Sequence, residues 1–215
     1  MKVLAVSDRV QEHIYSDAIR DLYADVGIVF SCGDLPFYYL EYIVTMLPVP
    51  LLYVRGNHDD HPQHTSTGRV LTYPQGCINV DGWITCRAGL LVGGIEGSIR
   101  YLPHGECMYS DYEVALKLAR MTPALVLNKR RHGRYLDVLL THAPPYGIHD
   151  GTDLAHTGFR PFLAFMRLFR PRYLLHGHVH QIGPQAVRET RYFDTWVVNV
   201  YPHTVLDIPL VGKGR

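Results

Sequence analysis

The stretch Pro50-Leu51-Leu52-Tyr53-Val54-Arg55-Gly56-Asn57-His58-Asp59-Asp60 passes from apolar to polar in one step. A short apolar run that stops at turn-forming residues reads as a buried strand, here residues 50–54. The polar cluster then sits at the strand's C-terminal end. The same phrase occurs twice upstream. Val3–Val6 is an apolar run that ends at Asp8, and Val26–Phe30 is another that ends in Cys32-Gly33-Asp34. Between these two runs Ile14, Ala18, Ile19 and Leu22 recur at helical spacing to about residue 25, with Gly27 as a stop. Tyr39, Tyr42, Ile43 and Met46 give residues 38–46 the apolar face of a short helix. The chain therefore opens β-α-β-α-β. Open α/β sheets place ligands at the C-terminal ends of their strands, where the polar clusters fall.

The middle of the chain has a different texture. From Gly68 to Gly97 the segments Arg69–Leu71, Ile78–Val80, Trp83–Cys86 and Leu90–Val92 are short, apolar and separated by Gly, Pro or Asp. They read as hairpin strands of a second sheet. Residues 110–127 read as a helix with Val114, Ala115, Leu118 and Met121 on one face. Tyr135–Leu140 is a strand that ends in Thr141-His142-Ala143-Pro144-Pro145. A polar loop, 145–157, leads into a helix around Phe159–Leu168. Arg172–Leu175 is a further strand, ending in His176-Gly177-His178-Val179-His180. Tyr192–Val200 and Val205–Ile208 close the chain as β structure. The class is α/β.

At roughly 150 residues per domain, 215 residues suit a single domain spanning 1–215. With 47% apolar and 19% charged residues the chain has the composition of a packed globule, not of a disordered one. The formal charge of +1 argues against a protein whose main work is coating nucleic acid or anionic lipid. The basic run Lys129-Arg130-Arg131-His132-Gly133-Arg134 reads as a solvated helix end and turn. No run approaches the ~20 apolar residues of a membrane span. The apolar start, Val3–Val6, is too short for the core of a secretion signal. Cys32, Cys77, Cys86 and Cys107 form no C-x-x-C pair and read as small hydrophobes in the reducing cytoplasm.

Five strand ends carry residues that bind metals: Asp8, Asp34, Asn57-His58, His142, and His178 with His180. One histidine after a strand is usually just a packed or hydrogen-bonded loop residue. The joint pattern says more. Carboxylate and amide oxygens with imidazoles, and no thiolate, suit Mn²⁺, Fe or Zn²⁺. In extended backbone, side chains at i and i+2 point the same way, so His178 and His180 can reach one cluster. A carboxylate such as Asp34 has two oxygens and can bridge two cations.

The order Asp8, Gly33-Asp34, Gly56-Asn57-His58-Asp59, His142, Gly177-His178-Val179-His180 resembles the calcineurin-like metallophosphoesterase superfamily, in particular its small bacterial members. The resemblance runs from Val3 to about His180. It implies two packed mixed β-sheets flanked by helices, and two divalent ions, Mn first, with Fe or Zn as alternatives. Asp34 would bridge them, with Asn57, His142 and His178 on one ion and Asp8 and His180 on the other. His58 would serve the phosphoryl oxygen or leaving group, with Asp59 holding its ring. One position departs: the superfamily's first block is D-x-H, and here it is Asp8-Arg9-Val10. Val10 cannot bind a metal, so that ion's site is expected to be weak, and His13 is the nearest imidazole that could stand in.

Two cations beside a phosphoester acidify a water and neutralise developing charge, while the departing alkoxide needs a proton. Arg55, Arg100, Tyr101 and His104 are the candidate substrate contacts. Arg100 and Tyr101 follow the Gly-rich segment Gly93–Ser98, which reads either as a phosphate-approaching loop or as a tight hairpin turn. The expected activity is metal-dependent hydrolysis of small phosphoesters, diesters ahead of monoesters because few Lys lie near the motifs to grip a dianion. A phosphomonoesterase or nucleotide hydrolase is the rival within the class. A binding scaffold is the rival outside it, since a retromer subunit keeps the fold as an interaction surface. No membrane partner is expected, nucleic acid is disfavoured, and self-association is left open.

Overall fold

The structure, a computed structural model, describes residues 1–59, 62–64, 68, 70–180, 183 and 185–210. Asp60 and Arg69 lie outside the described residues. The chain opens with β1 (Lys2–Val6), α1 (Ile19–Leu22), β2 (Val26–Ser31), α2 (Phe37–Met46) and β3 (Leu51–Tyr53). A small ladder, β4 (Gln63–His64) with β5 (Val70–Leu71), is followed by β6 (Ile78–Asn79), β7 (Ile84–Arg87) and β8 (Leu90–Ile95). Next come β9 (Ser98–Ile99), β10 (Met108–Tyr109), α3 (Asp111–His132) and β11 (Val138–Thr141). The chain ends with α4 (Arg160–Phe169), β12 (Tyr173–His176), β13 (Glu189–Tyr192), β14 (Thr195–Asn199) and β15 (His203–Asp207).

Two sheets result, in the orders β15-β1-β2-β3-β6 and β13-β14-β12-β11-β8-β7. Strands β1, β2, β3 and β6 run parallel with β15 antiparallel; β14, β12, β11 and β8 run parallel with antiparallel edges β13 and β7. Both sheets are mixed, and alternation along their strands stacks them. Val3 and Ala5 point inward with Ile28, Phe30, Leu52, Val92, Val138, Leu140, Leu175 and Val198 to form the central core. Their neighbours Leu4, Val6, Val29 and Leu51 point the other way, onto Ile19, Tyr39, Leu40 and Ile43 of α1 and α2. Leu91, Leu139, Leu174 and Val197 do the same on the far side, against α3 and α4. The layers run helix, sheet, sheet, helix.

The flanking helices show why. In α4, buried Phe162, Phe165, Met166 and Phe169 recur at helical spacing and form one apolar stripe. In α3, Ser110 and Glu113 form a reciprocal cap, Glu113 N–H donating to Ser110 Oγ at 3.3 Å and Ser110 N–H to Glu113 Oε2 at 2.7 Å. That helix continues through Pro123 to His132 and ends on Gly133, with Lys129, Arg130, Arg131 and His132 against the negative end of its dipole.

Four expectations need correction. The first helix is a single turn, Ile19–Leu22, preceded by turns in which the Ser16 hydroxyl binds the His13 carbonyl instead of leaving the backbone to a helix. Gly27 does not stop it but lies inside β2. Of the strands expected in the second sheet, β6 joins the first, parallel to β3, and β5 pairs with β4 in a ladder of its own. Gly93, Gly94 and Ile95 are neither a phosphate loop nor a turn: they finish the wholly buried strand β8. Among the described residues no helix is long and apolar enough to cross a membrane.

Candidate metal centre

The C-terminal ends of β1, β2, β3, β11 and β12 meet at one edge of the seam between the sheets. The first three ends deliver Asp8, Asp34 and Asn57-His58, the other two His142, His178 and His180. The loops are sharply turned: Asp8, Asp34 and His178 all have left-handed backbone, with φ of 60°, 55° and 64°. Two glycines let these loops approach. A Cβ at Gly56 would run into the Asp34 carboxylate, and one at Gly177 would strike the Asp8 carboxylate and Ser7 Oγ.

Donor atoms of Asp34, His142 and His178 all lie within 4.8 Å of one another, so these three can hold a metal ion. His142 is fully buried; its Nδ1 donates to the Cys32 carbonyl at 2.7 Å. That bond turns Nε2 towards Asn57 Oδ1 at 3.0 Å and Asp34 Oδ2 at 3.3 Å. Three electron-pair donors thus face one another, an arrangement that needs either a proton or a cation at its centre. The His178 ring centroid lies 4.8 Å from that of His142, and its Nε2 is turned to the Ala155 carbonyl at 2.7 Å. On the other side, the Asp8 carboxylate accepts the His178 backbone N–H at 3.0 Å and sits 3.5 Å from His180 Nε2. The His180 ring stacks on Tyr201, 4.2 Å between centroids. Asp8, Asp34, His58, His156, His178 and His180 line a cavity of about 240 Å³. A larger hollow of about 500 Å³ beside Arg20, Tyr23 and Met46 holds no such cluster.

The electrostatics follow from this crowding. Burial alone would push the His142 imidazolium down, but the Asp34 carboxylate outweighs it, with help from Asp8, and holds the ring up at about 9. Asp34 answers in kind. Burial would raise its carboxyl, yet His142 and the His58 N–H bring it to about 2. For His178, burial and the His142 charge outweigh the Ala155 carbonyl and the Asp8 carboxylate and bring the ring down to about 4. The site favours positive charge between these groups, as the chemistry of a carboxylate and imidazole metal centre requires.

Several expected residues lie elsewhere or act differently. Asp59 does not hold the His58 ring in the described contacts: its Oδ2 accepts the backbone N–H groups of Asp34 at 2.7 Å and Gly56 at 2.9 Å. Burial, with the Asp34 charge, raises it to about 6. Arg55 is committed to Glu96, Nε to Oε2 at 2.9 Å, within a network that includes Lys117 and Asp81. Arg100 binds Glu113 at 2.9 Å and the Met108 carbonyl at 3.0 Å. Neither arginine lines the cavity. Tyr101 reaches the site indirectly, its hydroxyl accepting the Asn57 amide at 3.2 Å. His104 is exposed on the loop before β10 and does not line the cavity either. Val10 packs against the apolar cluster of Leu4, Val6 and Ile14. His13 does not stand in for it: its Nε2 lies 3.1 Å from the Tyr23 hydroxyl and its ring 4.8 Å from His203.

His156 is not among the expected residues, although it lines the cavity. Nor is the pair formed by half-buried His149 and buried His176, Nδ1 to Nε2 at 3.0 Å, which ties the 145–157 loop to the end of β12. The only sequence signal for either is a surplus of histidines, 13 in the chain.

The family model described as Calcineurin-like phosphoesterase matches residues 5–182. Among solved structures, TT1561 of Thermus thermophilus superposes with a TM-score of 0.60 at 18% identity, over 93% of this chain and 88% of that one. A second solved structure gives 0.62 at 16% identity, over 96% and 94%. Phosphopantetheinyl hydrolase from Mycobacterium tuberculosis gives 0.48 at 13% identity, over 93% and 88%. At these identities the likeness to the first two is one of fold. No curated protein matches the chain.

Proposed function

The chain belongs to the calcineurin-like phosphoesterase family, and from that premise we propose that it hydrolyses small phosphodiesters with two bound divalent cations, Mn²⁺ first, with Fe or Zn as alternatives. The observation that carries the metal reading is the convergence of Asp34, His142 and His178 donor atoms within 4.8 Å. Asp34, Asn57, His142 and His178 would hold one ion, and Asp8, Asp34 and His180 the other. Bound there, divalent cations lower the pKa of a coordinated water and neutralise charge on the phosphoryl oxygens.

The remaining work falls to side chains. His58 is exposed and lines the cavity, where it can give a proton to the departing oxygen. Asp59 acts through the backbone, locking the Asp34 and Gly56 loops together. Tyr101 takes the Asn57 amide hydrogen and so turns Asn57 Oδ1 towards His142. The preference for diesters is supported by what lines the cavity: among the described residues there, none is Lys or Arg. A phosphate monoester carries two charges and wants such a grip; a diester carries one. On this reading the protein works in the cytoplasm as one domain, and its four cysteines are unpaired.

The test compares bis(p-nitrophenyl) phosphate with p-nitrophenyl phosphate under saturating Mn²⁺. The expected result is a kcat/KM at least about tenfold higher for the diester, ~1.4 kcal/mol of transition-state stabilisation. Equal or better monoester turnover removes the diester preference. No metal-dependent turnover of either favours the scaffold, for which the loss of an imidazole at Val10 is the one supporting feature.

A further inference from the structure

The loop between β11 and α4 reaches the cavity through His156. Its base is pinned where Tyr146 N–H donates to Phe159 O at 3.1 Å and Phe159 N–H to Pro144 O at 3.0 Å. Asp150 Oδ2 draws it in by accepting the N–H groups of Gly147 at 3.0 Å and Gly158 at 3.2 Å. Its middle is held by the His149 and His176 pair, with His149 Nε2 2.8 Å from Thr190 Oγ1.

At the end of this loop stands His156. Asp153 accepts both its backbone N–H, at 3.1 Å, and its Nδ1–H, at 2.9 Å. The second bond puts the ring proton on Nδ1 and leaves the Nε2 lone pair free. A carboxylate behind a histidine in this way is the usual means of fixing the tautomer and direction of a metal-binding imidazole. The ring lies 5.1 Å from that of His178 and shares the cavity with Asp8, Asp34 and His180. Its neighbour Ala155 already serves the site through its carbonyl on His178. On the opposite loop, Val10 is turned into the apolar cluster of β1 and supplies no ligand.

We infer that His156, braced by Asp153, is a ligand of the ion held by Asp8, Asp34 and His180, supplying from the β11–α4 loop the imidazole that the β1 loop lacks. The inference rests on the two-ion reading of the site, and adds to it a ligand from a different part of the chain.

The test is metal binding, without substrate. The full-length protein is stripped with a chelator and titrated with Mn²⁺ by calorimetry and equilibrium dialysis. The wild type is expected to bind two ions. His156→Gln should weaken one of them by about 100-fold and leave the other unchanged. Asp153→Asn, which removes only the brace, should weaken the same ion by about 10-fold. Electron spin echo spectra of bound Mn²⁺ should show one fewer coordinated imidazole nitrogen in His156→Gln. Thermal melts of the stripped proteins should coincide, since Asp153 is exposed and His156 half-exposed. Two ions bound with wild-type affinity by His156→Gln overturn the inference alone. A wild type that binds one ion overturns it and leaves a one-metal hydrolase; a wild type that binds none overturns it together with the metal reading.

Discussion

Oδ2 of Asp34, carried by one sheet, stands 3.3 Å from Nε2 of His142, carried by the other. The contact crosses the seam behind the cavity wall, where His142 is fully buried, and it makes Asp34 the natural bridge between donors of the two sheets. Asp34→Asn keeps the shape and an oxygen for the His58 N–H but removes the negative charge. Losing several kcal/mol of charge stabilisation should lower diester turnover roughly 10²- to 10⁴-fold at saturating Mn²⁺. The far-ultraviolet circular dichroism should stay that of the wild type. Wild-type turnover in the variant would show that Asp34 bridges nothing.

His58 is exposed, and the described contacts give its ring no structural duty. His58→Ala should therefore leave stability alone and act on the reaction. General acid catalysis is worth ~10²–10⁴-fold where the leaving group needs a proton. Turnover of diesters with basic alkoxide leaving groups should fall by that order, and turnover with p-nitrophenolate far less. A uniform loss across the leaving-group series would take the proton-donor role away from His58.

Gly56 is held against Asp34. A Cβ there would come within 2.5 Å of the Asp34 carboxylate carbon and 2.8 Å of its backbone nitrogen. Gly56→Ala must push the carboxylate out of place, and the backbone atom leaves little room to relax. The expected cost is ~1–3 kcal/mol in unfolding free energy, together with a loss of activity comparable to that of Asp34→Asn. Urea titration and diester turnover read the two effects separately, and wild-type values for both would mean that the loop yields freely.

Restoring a histidine at position 10 should not repair the site. The Val10 side chain packs with Leu4, Val6 and Ile14, so an imidazole there would enter an apolar cluster with no partner. Val10→His is expected to lower stability by ~1–3 kcal/mol and to leave the Mn²⁺ isotherm unchanged. Tighter binding of the second ion at undiminished stability would show that the β1 loop can turn this side chain towards Asp8.

The strand ends are legible in the sequence because each is an apolar run that breaks abruptly into polar residues. That pattern locates Asp8, Asp34, Asn57, His58, His142, His178 and His180 and gives both sheets their central strands. What escapes it are partnerships between residues distant in the chain. Nothing beside Arg55 announces that Glu96 will neutralise it, nor beside Arg100 that Glu113, already capping α3, will take its guanidinium. Two-residue strands such as β6 carry too little pattern to say which sheet they join. Asp59 misleads because the nearest histidine in sequence is not its nearest donor in space. His156 sits in a polar loop with no periodicity, and only the folded path of that loop reveals its neighbours.

The left-handed backbone at Asp8, Asp34 and His178 sets the protein's working parts against its own endurance. A non-glycine residue in that region typically costs of order 1–3 kcal/mol, and here three such residues cluster around one cavity. Glycine or asparagine would sit in the same conformations more comfortably. Selection for heat tolerance alone would therefore drift towards those residues at positions 8, 34 and 178, and would return a sturdier protein with an empty centre. Ancestry and engineering alike must be filtered for chemistry, since at these three positions ease of folding and the ability to act pull in opposite directions.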